Sequence, residues 1–152
     1  MRERLFNGKT YLPFYFRIVG GKIIVTENAS SNNLSKGSEI TKINGVAVKQ
    51  IIEKLLTVTK ADGNSTIEHR INSLELTRFE AERYTLFDWY FPLFFPVTDE
   101  KFSIEAIDFS TKKKRTFQIS PLTRDERKEE MAKRYGKSPT YDDGWKFEIQ
   151  DN

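Results

Sequence analysis

The apolar positions in the first part of the chain alternate with polar ones, as β-strands require. Residues 12–19 and 22–26 are rich in aromatic and β-branched side chains and are separated by Gly20-Gly21, which predicts a β-hairpin. Residues 28–36 are rich in serine and asparagine and predict a surface loop. The alternation of residues 38–43 then predicts a strand that leads into Asn44-Gly45, a dipeptide suited to a turn with positive φ.

After this turn the apolar residues recur with a helical period. From Val48 to Leu56 they lie on one side, with charged and amide side chains on the other, which predicts an amphipathic helix. A polar loop follows at residues 59–66. Residues 67–94 again have a helical pattern, and a break near residues 73–77 divides them into two predicted helices that Pro92 and Pro96 bound at their end.

The last third of the chain predicts two further strands and a charged helix. Residues 101–107 and 115–120 alternate like strands and are joined by a turn. Residues 124–134 are charged and have no wide apolar face, so they predict a surface helix or a linker. Residues 145–149 alternate once more like a strand. Together these patterns predict an α+β fold.

The composition agrees with a chain that buries a core of its own. Of its 152 residues, 38% are apolar and 31% are charged, and twelve Phe and six Tyr indicate a core or a groove built from rings. The net charge of +3 is only mildly basic, and no basic stripe with interleaved aromatic residues is present, so no nucleic-acid partner is predicted. Without cysteine, the chain forms no disulfide and has no thiolate chemistry. Its most apolar run, residues 89–97, is too short to cross a bilayer, so no transmembrane segment is predicted.

Candidate catalytic residues are few. His69 is the only histidine, which excludes a metal site built on several imidazoles, and any Ser-His-Asp triad would have to use it. Serine–lysine chemistry needs a lysine that burial keeps neutral beside the nucleophile. The lysines near Ser38, Ser103 and Ser120 lie in surface-like settings. Neither a catalytic residue nor a cofactor is therefore predicted for this chain.

One stretch of the chain resembles a known family. Bacterial PDZ domains carry the signature Pro-Gly-Asp-x-Ile…Ile-Asn-Gly-x-x-Val, which the chain resembles at Lys36-Gly37-Ser38-Glu39-Ile40 and Ile43-Asn44-Gly45-Val46-Ala47-Val48. The wider order is similar to the PDZ-like domain of tail-specific (C-terminal processing) serine–lysine peptidases. This resemblance implies a PDZ-like, partly open antiparallel β-barrel with a groove helix. Because an ordinary PDZ domain has only a short link after that helix, residues 59–97 are interpreted as an inserted helical pair.

The residues and the resemblance together predict how the chain is divided. Residues 1–10 are polar and have no period, which predicts an N-terminal arm, and the charged pattern predicts a linker or helix at 123–144. The resemblance implies a PDZ-like domain at 11–122 and the start of a catalytic domain at 145–152. On this interpretation the chain is a piece of a serine-type (Ser/Lys) endopeptidase whose catalytic segments lie beyond residue 152. Such peptidases usually work outside the cytoplasm of bacteria, so a periplasmic or other extracytoplasmic location is expected from the resemblance alone.

PDZ domains bind a peptide carboxyl terminus as an extra strand, hold its carboxylate with loop N–H groups and take its last side chain into an apolar pocket. By order, the loop falls at residues 11–14, the receiving strand at 14–18 and the pocket helix at 48–56. The implied peptide-binding residues are Leu12, Pro13, Phe14, Tyr15, Phe16, Ile51 and Leu55. Because Pro13 has no N–H and both loop glycines are missing, carboxylate capture is expected to be weak or lost. Alternatively, Leu12, Phe14 and Phe16 belong only to the core of a half-buried strand, and the sequence does not decide which side of the helix faces the groove.

Two functions remain open at this stage. The first is a non-catalytic domain that binds a polypeptide or its carboxyl terminus and presents it to, or gates, the catalytic domain of the same peptidase. The second is a structural docking module with a vestigial groove, whose aromatic helical insertion contacts another protein. The insertion carries Phe87, Trp89, Tyr90, Phe91, Phe94 and Phe95. Pro13 favours the second function, whereas the Ile-Asn-Gly unit and the groove helix favour the first.

Overall fold

The computed structural model describes residues 10–59, 66–78, 85–96 and 100–138, which form one sheet and four helices. The strands are β1 (Phe14–Val19), β2 (Lys22–Asn28), β3 (Glu39–Ile43), β4 (Val46–Ala47), β5 (Phe102–Ile107) and β6 (Lys114–Ile119). The helices are α1 (Val48–Leu56), α2 (Ile67–Asn72), α3 (Leu86–Phe94) and α4 (Arg124–Tyr135). The predicted α+β class is confirmed. The strand predicted at residues 145–149 and nearly all of the predicted arm lie outside the described residues.

The sheet is antiparallel and not closed. Its strands follow the order β1-β2-β3-β5-β6, and β4 pairs with β3 beside β2. The two outer strands, β1 and β6, do not pair with each other. A single bridge joins the residues next to them, because the N–H groups of Tyr11 and Leu122 each donate to the carbonyl oxygen of the other, both at 3.1 Å.

The predicted turns form for the reasons that the sequence gives. Gly20 and Gly21 connect β1 to β2 with φ angles of 57° and 75°, and Asn44-Gly45 connects β3 to β4 with 49° and 78°. Two successive positive φ angles make the tight turn whose twist matches that of a hairpin. Asn44 also fixes the neighbouring strand, since its side-chain oxygen accepts a hydrogen bond of 2.9 Å from the Ser103 N–H.

The core lies between the sheet and helices α1 and α3. Helix α1 buries Val48, Ile51, Ile52 and Leu55, which recur at the helical spacing that the sequence predicts. Helix α3 adds Phe87 and Phe91, whose rings stack with centroids 5.0 Å apart. The Phe87 ring also meets the ring of Phe16 edge-on at 5.0 Å, so the aromatic residues of the insertion join the core of the sheet.

The prediction that Pro92 bounds the second helix is wrong. Pro92 lies inside α3, which continues to Phe94. Proline removes one helical hydrogen bond and crowds the preceding turn, so a mid-helix position is costly. The helix continues because Phe91 is buried and its carbonyl oxygen accepts a hydrogen bond of 2.8 Å from the Phe95 N–H. The other proline, Pro96, does follow the end of the helix.

Helix α4, expected as a surface helix or linker, packs onto the core through one narrow stripe. It begins with a capping box, in which the Thr123 hydroxyl and the Glu126 carboxylate each accept a hydrogen bond from the other's N–H. Its buried residues, Arg127 and Met131, are one turn apart. Arg127 makes an ion pair with Asp88 of α3 at 2.6 Å, which ties the charged helix to the aromatic one.

Candidate functional site

All seven predicted peptide-binding residues are buried in the described structure. Phe14, Tyr15 and Phe16 on β1 and Ile51 and Leu55 on α1 are fully enclosed. Leu12 and Pro13, which precede β1, are buried as well. The structure brings the two predicted sides of the groove, β1 and α1, into one core. Peptide binding by these residues stays a prediction. Because their side chains are buried, a peptide would contact the backbone at the edge of β1.

The loop before β1 has little capacity to hold a carboxylate. The Tyr11 N–H already donates to Leu122, and Pro13 has no N–H to donate. The loop carbonyls are also occupied, since the Leu12 oxygen accepts a hydrogen bond of 3.3 Å from Arg127 and the Pro13 oxygen one of 2.8 Å from the Ala29 N–H. A nest of free amides, which carboxylate capture needs, is therefore not prepared at Tyr11 and Pro13.

The outer edge of β1 is occupied by another part of the same chain. Among the strands that the structure describes, β1 pairs with β2 alone, and on its opposite side lie residues 74–78, called the edge segment below. The Phe16 N–H donates to the Leu76 carbonyl oxygen at 2.8 Å in an antiparallel bridge. Two residues further along β1, the Ile18 N–H donates to the Glu75 carboxylate, also at 2.8 Å. Two successive outward N–H groups of β1 are thus satisfied.

Side chains hold the edge segment in this position. Leu74 and Leu76 are fully buried, and the Glu75 carboxylate lies 3.4 Å from the exposed guanidinium of Arg17. At the other end, the Arg78 guanidinium forms an ion pair of 3.2 Å with Glu27 of β2 and donates to the Gly136 carbonyl oxygen. The segment therefore runs antiparallel to β1, with its C-terminal end directed toward Pro13.

Helix α2 connects the edge segment to the end of α1. The Arg70 guanidinium donates to the carbonyl oxygens of Thr59, at 3.1 Å, and of Leu56. These carbonyls belong to the last turn of α1 and the residues after it, where a helix lacks internal donors. Helix α2 contacts both α1 and β1, so it lies where a peptide would approach the edge of β1 from the side of α1.

No sequence pattern predicts the edge segment. Leu74-Glu75-Leu76 alternates as a strand does, but three residues are too few to distinguish a strand from a break between helices. The placement of Glu75 between two leucines indicates a contact with β1 only when the folded structure is known. Arg70 was also missed, because a capping arginine on a short helix has no sequence signature of its own.

Part of the aromatic insertion faces outward. Whereas Phe87 and Phe91 are buried, Trp89 is 41% exposed and Leu93 is 54% exposed. These two side chains are four residues apart and so share one face of α3. The end of the helix also borders a cleft of about 530 Å³, whose other wall is the Asn44-Gly45 turn.

The candidate catalytic residues have ordinary structural partners. Nδ1 of His69 lies 3.2 Å from the Thr66 hydroxyl on the exposed start of α2. Ser38 is buried, and its hydroxyl lies 2.9 Å from that of Ser35. In the part of the chain that the structure describes, no three His, Cys, Asp or Glu side chains are grouped so as to hold a metal ion.

Two carboxylates with lowered pKa values, Glu105 and Asp108, lie on β5 and in the turn after it, and not on β1. Hydrogen bonds from Thr111, followed by one from Ser35, lower the pKa of Asp108 to about 2. Lys114, at 2.8 Å, and Lys42, at 3.3 Å, hold the pKa of Glu105 below its usual value. These ion pairs and hydrogen bonds stabilise β3, β5, β6 and the turn between the last two strands, and none of them faces β1.

A second cleft, of about 510 Å³, lies between the loop at residues 29–32 and helix α4. Two cationic side chains, Lys101 and Arg134, line it, and Arg134 donates to the carbonyl oxygens of Asn28, at 3.0 Å, and Ser30, at 2.7 Å. Neither cleft includes the outer edge of β1. The edge of β1 and the exposed face of α3 are the two surfaces to which the predictions of peptide binding and of docking refer.

Within the described residues, no helix has the length and apolar character that crossing a membrane requires. The chain matches no protein-family model, and no curated protein and no solved structure is significantly similar to it.

Proposed function

We propose that the chain is a non-catalytic, PDZ-like module that binds an extended polypeptide by strand addition at the outer edge of β1. The observation that carries this proposal is the edge segment. The edge segment already lies on β1 through one antiparallel bridge, in which the Leu76 carbonyl oxygen accepts a hydrogen bond from Phe16, and the Glu75 side chain accepts one from Ile18. The bond between Phe16 and Leu76 joins two main chains, and such bonds give strand addition its affinity, whereas side-chain pockets give it its specificity.

The arrangement around β1 supports this function. Helix α1 follows the Ile43-Asn44-Gly45 turn and packs on the same core as β1, as the PDZ resemblance implies. The sheet is open, so β1 keeps an outer edge. The edge segment runs toward Pro13, which is the direction expected of a peptide whose carboxyl terminus points to the loop at residues 11–14.

The mode of binding differs from terminal carboxylate capture. Because the Tyr11 amide is engaged and Pro13 has none, the affinity of the site rests on backbone hydrogen bonds and an apolar side chain. An internal stretch of an unfolded polypeptide therefore suits the site as well as a carboxyl terminus does. In a C-terminal processing peptidase, such a module would deliver substrate to a catalytic domain located outside the cytoplasm.

A titration of the 152-residue chain tests this function. Peptides with varied apolar carboxyl termini are made both as free acids and as carboxamides, and backbone amide shifts are recorded. We expect binding in the micromolar to millimolar range, with shifts at Phe16, Ile18 and along α1, and nearly equal affinity for acid and amide. A strong loss of affinity on amidation would instead place the carboxylate in the loop before β1.

A docking function is the second candidate, supported by the exposed pair Trp89 and Leu93 on α3. Apolar side chains grouped on one exposed face commonly mark a contact with another protein. In this case the groove would be vestigial and the edge segment a permanent part of the fold. No shift at Phe16 or Ile18 with any peptide would favour this function over peptide binding.

A further inference from the structure

We infer that the edge segment is a built-in copy of the ligand, so that the β1 edge selects extended peptides with an acidic residue immediately before a leucine-like residue. Such a peptide must displace Glu75 and Leu76 to bind. The inference rests on the proposed function and specifies its ligand. It is drawn from the contacts that the two residues make with β1.

Leu76 defines the apolar half of the motif. Its carbonyl oxygen accepts a hydrogen bond from the Phe16 N–H at 2.8 Å, and its side chain is fully buried in the core cluster. A peptide residue in this position must therefore match both a backbone donor and an enclosed apolar space. A branched aliphatic side chain of the same size fills that space without a void or a clash.

Glu75 defines the acidic half. Its carboxylate accepts the Ile18 N–H at 2.8 Å, lies 3.4 Å from the Arg17 guanidinium and has a side chain only 9% exposed. Charge-assisted hydrogen bonds to a carboxylate are stronger than those between neutral groups. A neutral residue in this position would leave the Ile18 N–H with a weaker partner and Arg17 without its counter-charge from the ligand.

The position of Glu75 selects the carboxylate of an acidic side chain, and not the terminal carboxylate of a peptide. The edge segment runs antiparallel to β1, so a free carboxyl terminus would point toward Pro13, away from Ile18. Glu75 meets the Ile18 end of β1, where the N-terminal part of a peptide would lie. An acidic side chain and a terminal carboxylate would thus contact opposite ends of the strand, and an experiment can separate them.

The edge segment also competes with any ligand. A segment tethered to its site has an effective concentration in the millimolar range, as short flexible linkers give. The apparent affinity of a free peptide equals its affinity for the open edge multiplied by the fraction of molecules whose edge is open. The unmodified chain therefore binds such a peptide weakly, and a change that loosens the edge segment strengthens binding.

The test uses three related peptides and two point variants of the full chain. The parent peptide is Asn-Ser-Leu-Glu-Leu-Thr-Arg, the sequence of residues 72–78, with acetylated and amidated ends, and the other two replace its Glu by Gln or leave its carboxyl terminus free. The first variant, Glu75→Ala, removes the internal carboxylate. The second, Glu68→Ala, is the matched control, because Glu68 is an exposed residue of the neighbouring helix α2 with the same charge. Binding is measured by fluorescence anisotropy, and the site by amide shifts.

We expect Glu75→Ala to bind the peptide about tenfold more tightly than the unmodified chain, because it loses a hydrogen bond to a charged group that holds the edge closed. Glu68→Ala should bind like the unmodified chain. A peptide with Gln in place of its Glu should bind about tenfold more weakly to every form. A peptide with a free carboxyl terminus should gain nothing, and the shifts should centre on Phe16 and Ile18.

Two different failures are distinguishable. If the Glu and Gln peptides bind equally, or if Glu75→Ala gains no affinity, the inference is overturned while strand addition at β1 stands. If no peptide shifts Phe16 or Ile18 in any form of the chain, the proposed function itself is overturned. Should Glu75→Ala fail to fold, Glu75→Gln replaces it, since Gln keeps an acceptor for Ile18 and removes only the charge. The same order of affinities is then expected with a smaller difference.

Discussion

Arg127 is a charged residue that lies in the core, where charged side chains are rare. It is fully buried, and its guanidinium binds both carboxylate oxygens of Asp88, at 3.2 and 2.6 Å, and the Leu12 carbonyl oxygen. The rings of Tyr11 and Tyr15 lie 5.1 Å from it. A buried charge of this kind is tolerated because its donors are satisfied and the aromatic faces add cation–π attraction.

The Arg127–Asp88 pair gives the first prediction. Asp88→Asn leaves the buried guanidinium without its counter-charge, so the free energy of unfolding should fall by about 3–5 kcal/mol. The double variant Asp88→Asn with Arg127→Met removes both charges and should lose clearly less than the sum of the two single variants. Urea unfolding of the four proteins measures this. Strict additivity would mean that the two side chains do not stabilise each other.

No sequence pattern identifies Arg127 as buried. The eleven residues predicted as a charged surface helix or linker contain it among many similar residues, and only Met131 and Ala132 break their polar character. Hydrophobic periodicity assigns charged residues to the solvent, which is correct for most of them. The exception depends on Asp88, a residue 39 positions away that reaches the same place only in the folded chain.

Among the elements, the turn between β5 and β6 is held by one carboxylate. The Asp108 side chain accepts hydrogen bonds from the Thr111 N–H at 2.8 Å, from the Thr111 hydroxyl at 2.9 Å and from the Ser35 hydroxyl at 3.0 Å. These bonds favour the ionised form and lower the pKa of Asp108 from 3.8 to about 2. The folded chain therefore binds a proton at this site less readily than the unfolded chain.

The second prediction follows from the sign of this shift. A lowered pKa contributes stability that is complete above the unfolded value of 3.8 and is lost as the pH falls toward about 2. Asp108→Asn should thus unfold at lower urea concentration than the unmodified chain at pH 7, and the difference should shrink between pH 4 and pH 2. Urea midpoints measured across this range check it. A difference that stays constant with pH would mean that the charge of Asp108 does not stabilise the turn.

The elements that were predicted correctly are those with a local cause. The hairpin at Gly20-Gly21, the turn at Asn44-Gly45 and helix α1 depend on residues within a few positions of one another, so their patterns are complete in the sequence. The prediction for Pro92 was wrong because the burial of Phe91, a tertiary effect, outweighs the local cost of proline. The helical insertion was predicted as two helices. The bridge between Phe16 and Leu76, which lies between these helices in the sequence, was not predicted.

For the molecule as a whole, the decisive arrangement is the closure of the β1 edge by the chain's own residues. The sequence pattern and the PDZ resemblance predicted β1 and α1 as the two sides of a groove. The residues predicted to line it are buried in the structure. The sequence could not predict that residues 74–78 lie on the β1 edge, because that contact joins positions 57 and 60 residues apart, Ile18 to Glu75 at one end and Phe16 to Leu76 beside it. Whether the site is open or closed is therefore a property of the tertiary structure alone.

Arg70 links the edge segment, which covers the β1 edge, to helix α1. Its two hydrogen bonds, to the carbonyl oxygens of Leu56 and Thr59, fix α2 on the end of α1, and the edge segment follows α2 directly. Edges that are held by a few contacts open locally without unfolding of the whole chain. Removal of the Arg70 donors should therefore loosen the edge segment more than it loosens the rest of the sheet.

The last prediction concerns hydrogen exchange in Arg70→Met, which keeps the apolar stem of the side chain and removes its donors. The Phe16 and Ile18 amides, which bind the edge segment, should exchange roughly tenfold faster, as expected for the loss of a hydrogen bond from a charged group. The Arg17 amide lies between them and points toward β2, so it should keep its protection. Arg115→Met, at an exposed position on β6, is the control and should change neither rate. Equal acceleration of all three β1 amides would mean that Arg70 stabilises the whole fold and does not act on the edge of β1.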